Sequence, residues 1–143
     1  MEKKLLLVTL TFSISCVAPP DYTDGLLENI PAIIDEPDYF SLSLLGQDYT
    51  NDHEWELSLS ALDSNDVLLE TIALKDLNIN SGSSYLYIIT SLNDSLNDTL
   101  NWIINNNMID SREDSIKNIG TPSKVIFSGD NFSGRLEYQI MKQ

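Results

Sequence analysis

His53 is the only histidine of the 143-residue chain and Cys16 its only cysteine, so imidazole and thiol chemistry have one position each. His53 sits in Asp52-His53-Glu54, where two carboxylates flank the ring. A zinc site usually takes three or four spaced nitrogen or sulfur ligands, and one histidine does not supply them. The residue is read as an exposed loop histidine. No Gly-x-Ser-x-Gly elbow accompanies it, so a Ser-His-Asp nucleophile is not expected. Paired carboxylates are plentiful: Glu54 with Glu56, Glu113 with Asp114, Asp63 with Asp66. A glycosidase needs two such groups roughly 5–9.5 Å apart across a sugar cleft. A chain with 22 acidic residues brings pairs together by chance, and Glu54 and Glu56 alternate with Trp55, which should turn them to water. Asp63-Ser64-Asn65 begins like a calcium loop, but Leu68 and Leu74 stand where that loop requires Gly and Glu. Asp94 and Asp98 would lie one helical turn apart, close enough to share a cation. Ser128–Gly134 is glycine-containing but acidic and lacks the lysine of a phosphate-binding loop. No catalytic residue, metal or cofactor is expected, and the chain is read as non-enzymatic.

Charge narrows the partners. Eight basic residues face 22 acidic ones, a net charge of −14. Phosphate backbones are repelled by such a chain, so nucleic acid is excluded as a partner, as is a basic-patch interaction with anionic headgroups. A basic protein partner is compatible, because complementary charge steers association. Strong net charge also keeps a protein soluble without any partner.

The first 15 residues have an address-like layout. Lys3 and Lys4 form a positive start, Leu5–Phe12 an apolar stretch, and Ser13-Ile14-Ser15 places small residues at −3 and −1 before Cys16. The apolar stretch is too short to span a bilayer and suits a signal peptide. Ser13-Ile14-Ser15-Cys16 resembles the lipobox of bacterial lipoproteins, with Ser13 where that family prefers leucine. The resemblance implies that the Cys16 sulfur receives diacylglycerol, that the chain is cut before Cys16, and that lipid holds it to the cell membrane or outer membrane. Val17, rather than aspartate, after the cysteine would favour outer-membrane sorting in enteric bacteria. Ser-x-Ser also satisfies ordinary signal-peptidase cleavage, the alternative. Lipid on Cys16 would account for a lone thiol in an exported chain, where a free one is prone to oxidation. Removing residues 1–15 takes Lys3, Lys4 and Glu2 with it, leaving 128 residues and a net charge of −15.

The expected organisation is a signal peptide over 1–15, an acidic, proline-containing tether over 16–38, and one globular domain over 39–143. The segment from Val17 to Asp38 could reach roughly 70 Å if fully extended. Leu26, Leu27, Ile30, Ile33 and Ile34 make it too apolar for an idle spacer, so part of it should dock on the domain as a short strand or turn. Strict alternation predicts strands at Phe40–Leu44 and Trp55–Ala61, with a third at Val67–Leu74. Tyr85–Thr90 is apolar on both faces, as in a central strand. Asp63–Asp66 and Asn78–Ser84 read as turns. Four such strands in succession suggest an antiparallel meander.

Beyond it, Leu92, Leu96, Leu100, Ile103 and Ile104 fall on one helical stripe, and a helix is expected there despite its Asn and Asp residues. Asn105-Asn106-Asn107 should end it. Ser111 could cap a second helix closing before Gly120. Lys124–Phe127 and Arg135–Ile140 look like a closing hairpin around Gly129-Asp130-Asn131. The sum is an α+β fold, an antiparallel sheet of about six strands with one or two helices on one face. An all-β sandwich is the alternative.

The aromatic residues Trp55, Trp102, Tyr85, Tyr87, Phe127 and Tyr138 are expected mostly to face the core, with a ligand platform as the functional alternative. Asp94-Ser95-Leu96, Asp98-Thr99-Leu100 and Asp114-Ser115-Ile116 are similar to the Asp-Ser/Thr-apolar O-glycosylation motif of some bacteria. Asn93-Asp94-Ser95, Asn97-Asp98-Thr99 and Asn131-Phe132-Ser133 fit the N-glycosylation acceptor. The functional expectation is a membrane-anchored exported lipoprotein that binds a partner or supports the envelope. A small acidic inhibitor or immunity-like protein for a basic enzyme is one alternative, and a carboxylate-based hydrolase is another.

Overall fold

The computed structural model describes residues 25–59, 62–78, 83–92 and 96–143. Residues 1–24, with the leader and Cys16, lie outside the described residues, as do 60–61, 79–82 and 93–95. The described chain is almost entirely strand: β1 (Ala32–Glu36), β2 (Tyr39–Tyr49), β3 (Asp52–Glu56), β4 (Val67–Lys75), β5 (Ser84–Leu92), β6 (Leu96–Ile104), β7 (Met108–Ser115), β8 (Thr121–Ser128) and β9 (Phe132–Lys142). A four-residue helix, α1 (Ile116–Ile119), joins β7 to β8. The strands form two antiparallel sheets, one of five in the order β1-β2-β9-β4-β7 and one of four in the order β3-β8-β5-β6.

Period-two alternation builds this arrangement. Every second residue of β2 (Phe40, Leu42, Leu44), of β4 (Leu68, Ile72, Leu74) and of β9 (Leu136, Tyr138, Ile140) is buried. They form one core with Leu86, Ile88, Trp102, Val125 and Phe127 of the other sheet. Each such side chain contributes about 1.5–3 kcal/mol by leaving water. The chain changes sheet after β2, β3, β4, β6, β7 and β8, so consecutive strands enclose the core from opposite sides. The apolar segment before residue 39 joins the domain: β1 pairs with β2 from Ala32↔Ser43 to Glu36↔Tyr39, and Asn29 N–H donates to the Leu45 carbonyl at 2.7 Å.

The structure overturns the α+β expectation. The segment expected to be the first helix is β6, paired with β5 from Ser84↔Ile104 to Leu92↔Leu96. A spacing of four residues fits one helical turn and equally fits two strand repeats, so Leu96, Leu100 and Ile104 satisfy both periods. Asn and Asp favour neither state, and Thr99, Trp102, Ile103 and Ile104, β-branched or aromatic, tip the segment to strand. The second expected helix shrinks to α1, with Gly120 directly after it; the residues before it belong to β7. The meander is absent among the described residues, because β2, β3, β4 and β5 do not pair with one another. Nor do β8 and β9 form a hairpin. Gly129 carries the chain between the sheets, where a Cβ would stand 2.7 Å from the Tyr49 ring and 2.9 Å from its carbonyl oxygen.

One polar cluster ties the sheets together. Glu70 of β4 lies on the core face and is 1% exposed. Its Oε2 accepts hydrogen bonds from Arg112 Nη2 at 2.7 Å, the Tyr138 hydroxyl at 2.8 Å and Trp102 Nε1 at 3.3 Å. Trp102 belongs to the four-stranded sheet and the other three to the five-stranded one. The Arg112 guanidinium also stands 4.7 Å over the Trp102 ring, a cation–π contact. Burial, and then the Glu70 charge, push the Tyr138 hydroxyl well above the ordinary tyrosine range. The folded protein therefore keeps a proton that the unfolded chain releases near pH 10. That contribution is complete below pH 10 and is lost as pH rises further, by up to about 1.4 kcal/mol per pH unit. Denaturant titrations at rising alkaline pH should show this decline, and Tyr138→Phe should flatten it.

Candidate functional site

The outer face of the four-stranded sheet sets a tyrosine pair beside a file of carboxylates. Register sets Glu54 of β3, Ile126 of β8, Tyr87 of β5 and Asn101 of β6 in one row across it. On one side lies the row Asp52, Ser128, Tyr85, Ile103; on the other lies Glu56, Lys124, Ile89, Thr99. Tyr85 and Tyr87 are half-buried, and their rings stack with centroids 5.8 Å apart and planes 21° from parallel. Ile103 beside Tyr85 is 55% exposed. The described strands all belong to the two sheets, so none forms a third layer over these rings.

The electrostatics run across the face. Lys124 Nζ meets Glu54 Oε2 at 2.7 Å and Glu56 Oε1 at 3.2 Å. Hydrogen bonds to these two carboxylates raise the lysine pKa. With Asp52 on the same strand, the β3 edge holds three carboxylates against one ammonium, which both glutamates already share. The opposite outer face, on the five-stranded sheet, has a polar middle row, with Ile34, Ile109 and Met141 exposed around it. Ser41, Gln139, Thr71 and Ser111 form that row, which carries no aromatic ring.

His53 is exposed, as expected, but it lies on β3 rather than in a loop, at the sandwich edge in register with Phe127. Its ring stacks between Tyr49, at 6.0 Å, and Trp55, at 5.7 Å. The Tyr49 hydroxyl is buried, and burial together with the charge of Asp52 raises its pKa. The arrangement is a ring column at the sandwich edge. Among the described residues no three His, Cys, Asp or Glu side chains are grouped to hold a metal.

The other paired carboxylates do not converge on a cleft. Asp63 and Asp66 shape a turn: Asp66 Oδ2 accepts from the Asp63 N–H at 2.7 Å, and Asp63 Oδ1 from the Asn65 N–H at 3.0 Å. The Asp63 N–H and then Lys142 hold the Asp66 carboxyl below the usual range, the reverse of what a general acid needs. Glu113 and Asp114 are adjacent in β7 and point to opposite faces. Asp94 and Ser95 of the expected cation pair and modification motifs include positions outside the described residues, as does Asn93. Thr99 is exposed on β6, and Ser115 ends β7. A cavity of about 500 Å³ opens at the β4–β7 end, lined by Leu74, Lys75, Asp76, Asn107, Met108 and Ile109. No helix among the described residues is long and apolar enough to cross a membrane.

Of the aromatic residues expected in the core, Trp102, Phe127 and Tyr138 are there and Trp55 is partly buried against it. Tyr85 and Tyr87 are on the outer face instead. The available signal was the two-sided apolar character of β5: among the described residues no helix is laid over its second face.

These elements define a two-sheet antiparallel β-sandwich with an aromatic, acid-edged outer face. Among solved structures it is similar to a "Family 16 Carbohydrate Binding Module-2" chain, at 12% identity over 79% of this chain and 84% of that one, with a TM-score of 0.41. It is also similar to a chain titled "CBM4 structure and function", at 8% identity over 79% and 78%, with a TM-score of 0.34. Neither likeness is close enough to carry a ligand or a role over to this chain. No protein-family model and no curated protein matches it.

Proposed function

We propose that the chain is an exported bacterial lipoprotein, held to a membrane by lipid on Cys16. Its β-sandwich serves as a non-enzymatic binding module, through the outer face of the four-stranded sheet. The observation that carries the reading is the positive start, apolar stretch and small residues that lead directly into the chain's single cysteine. From Cys16 to Gly25 the chain can extend about 30 Å, so the domain stays close to the membrane surface. The stacked Tyr85–Tyr87 pair supports the binding role, since tyrosine rings on an open sheet offer area with little side-chain entropy to lose.

Cell fractionation tests the anchor. The unaltered protein is expected in the membrane fraction and to resist high-salt washing. The Cys16→Ser variant is expected in the soluble exported fraction. A variant that stays with the membrane would remove lipid at Cys16 as the anchor.

A further inference from the structure

We propose that the Tyr85–Tyr87 face binds an extended, arginine- or lysine-rich segment of a second protein. This inference rests on the binding role above and names the chemistry of the partner.

Two features of the face point to a cation. First, tyrosine rings present a negative π surface that attracts guanidinium and ammonium groups. The same chemistry is already realised inside the molecule, where Arg112 stands 4.7 Å over Trp102. Second, Asp52, Glu54 and Glu56 repeat at every second residue of β3, about 7 Å apart, on the same face as the rings. Their local counter-charge is Lys124, 2.7 Å from Glu54 and 3.2 Å from Glu56. The edge keeps a net negative charge within a chain of net charge −14. Carboxylates and rings are separated by one strand, β8, and strands lie about 4.8 Å apart. An extended segment with alternating cationic side chains matches both spacings, stacking on the tyrosines and pairing with the acids. A neutral glycan would use the rings, Asn101 and hydroxyl hydrogen bonds to the carboxylates, but it would gain no charge pairing from them, so its binding would not respond to salt. An anionic ligand would be repelled.

The test uses the full chain purified in detergent and a short fluorescein-labelled peptide alternating arginine with glycine, read by fluorescence anisotropy. Binding is expected to weaken steeply as salt rises, because the contacts are charge pairs at a solvated surface. Tyr87→Ala is expected to weaken it about fivefold, while Tyr87→Phe, which keeps the ring, stays near the unaltered value. Glu54→Gln with Glu56→Gln is expected to weaken binding and flatten its salt dependence, with thermal melts confirming that each variant folds. Tyr39→Ala, on the other sheet, should have no effect. The proposal is overturned if the peptide does not bind, if a glutamate–glycine counterpart binds equally well, or if Tyr87→Ala leaves binding unchanged. It is also overturned if a neutral oligosaccharide binds through Tyr87 with no response to salt. Membrane attachment is read separately on Cys16→Ser, so a failed anchor and a failed peptide site give different results.

Discussion

Glu70→Ala is expected to lower folding stability by about 3–5 kcal/mol, the range for removing one partner of a buried charge pair. The carboxylate is 1% exposed and its Oε2 collects three donors. Removing it strands the Tyr138 hydroxyl, which is wholly buried, and the Trp102 indole N–H, which is nearly so. An unsatisfied buried donor costs about 1–3 kcal/mol. Arg112 is 26% exposed and can turn partly to water, which keeps the loss within that range. Asp114 does not replace Glu70: it approaches Arg112 Nε at 3.2 Å without an aligned hydrogen bond. Glu70→Leu combined with Arg112→Leu should lose less than the two single variants summed, since neither charge is then left alone. Denaturant midpoints of the four proteins measure this. For a domain whose whole stability is about 5–15 kcal/mol, the single change removes about a fifth at the least.

Phe127→Ala is expected to cost a comparable amount, about 3–5 kcal/mol. Phe127 is fully buried on β8. Its ring meets Phe132 edge-on at 5.5 Å and Tyr49 at 5.8 Å. Phe132 begins β9 and Tyr49 ends β2, both in the five-stranded sheet, so this ring is a main contact between the sheets at that end. Truncation leaves a cavity bounded by strands that are pinned by their own hydrogen bonds and collapse only in part. Phe127→Leu keeps most of the volume and should lose markedly less. The two variants should separate clearly in thermal melts.

The sequence made individual strands legible and their arrangement much less so. Alternation located Phe40–Leu44 and Val67–Leu74 because one face of each is buried and the other is not. It could not assign strands to sheets, since a turn such as Gly129-Asp130-Asn131 serves a hairpin or a crossing between sheets equally well. Distinguishing them requires the contact between Gly129 and Tyr49, far apart in sequence. The β6 segment misled because a four-residue repeat is common to both periods. Glu70 was readable in retrospect: it shares parity with Leu68, Ile72 and Leu74, and a carboxylate on an apolar strand face needs a buried partner. Tyr85 and Tyr87 became surface candidates only once no helix among the described residues covered their sheet. Cys16 is the reverse case, carried by sequence alone and lying outside the described residues.

The most direct measurement is the intact mass of the mature protein extracted from membranes, with fragmentation of its N-terminal peptide. A first residue of Cys16 bearing a diacylglyceryl thioether is the predicted result. A free thiol at Cys16 in the membrane-derived protein, or an N-terminus created by cleavage beyond it, would contradict lipid anchoring.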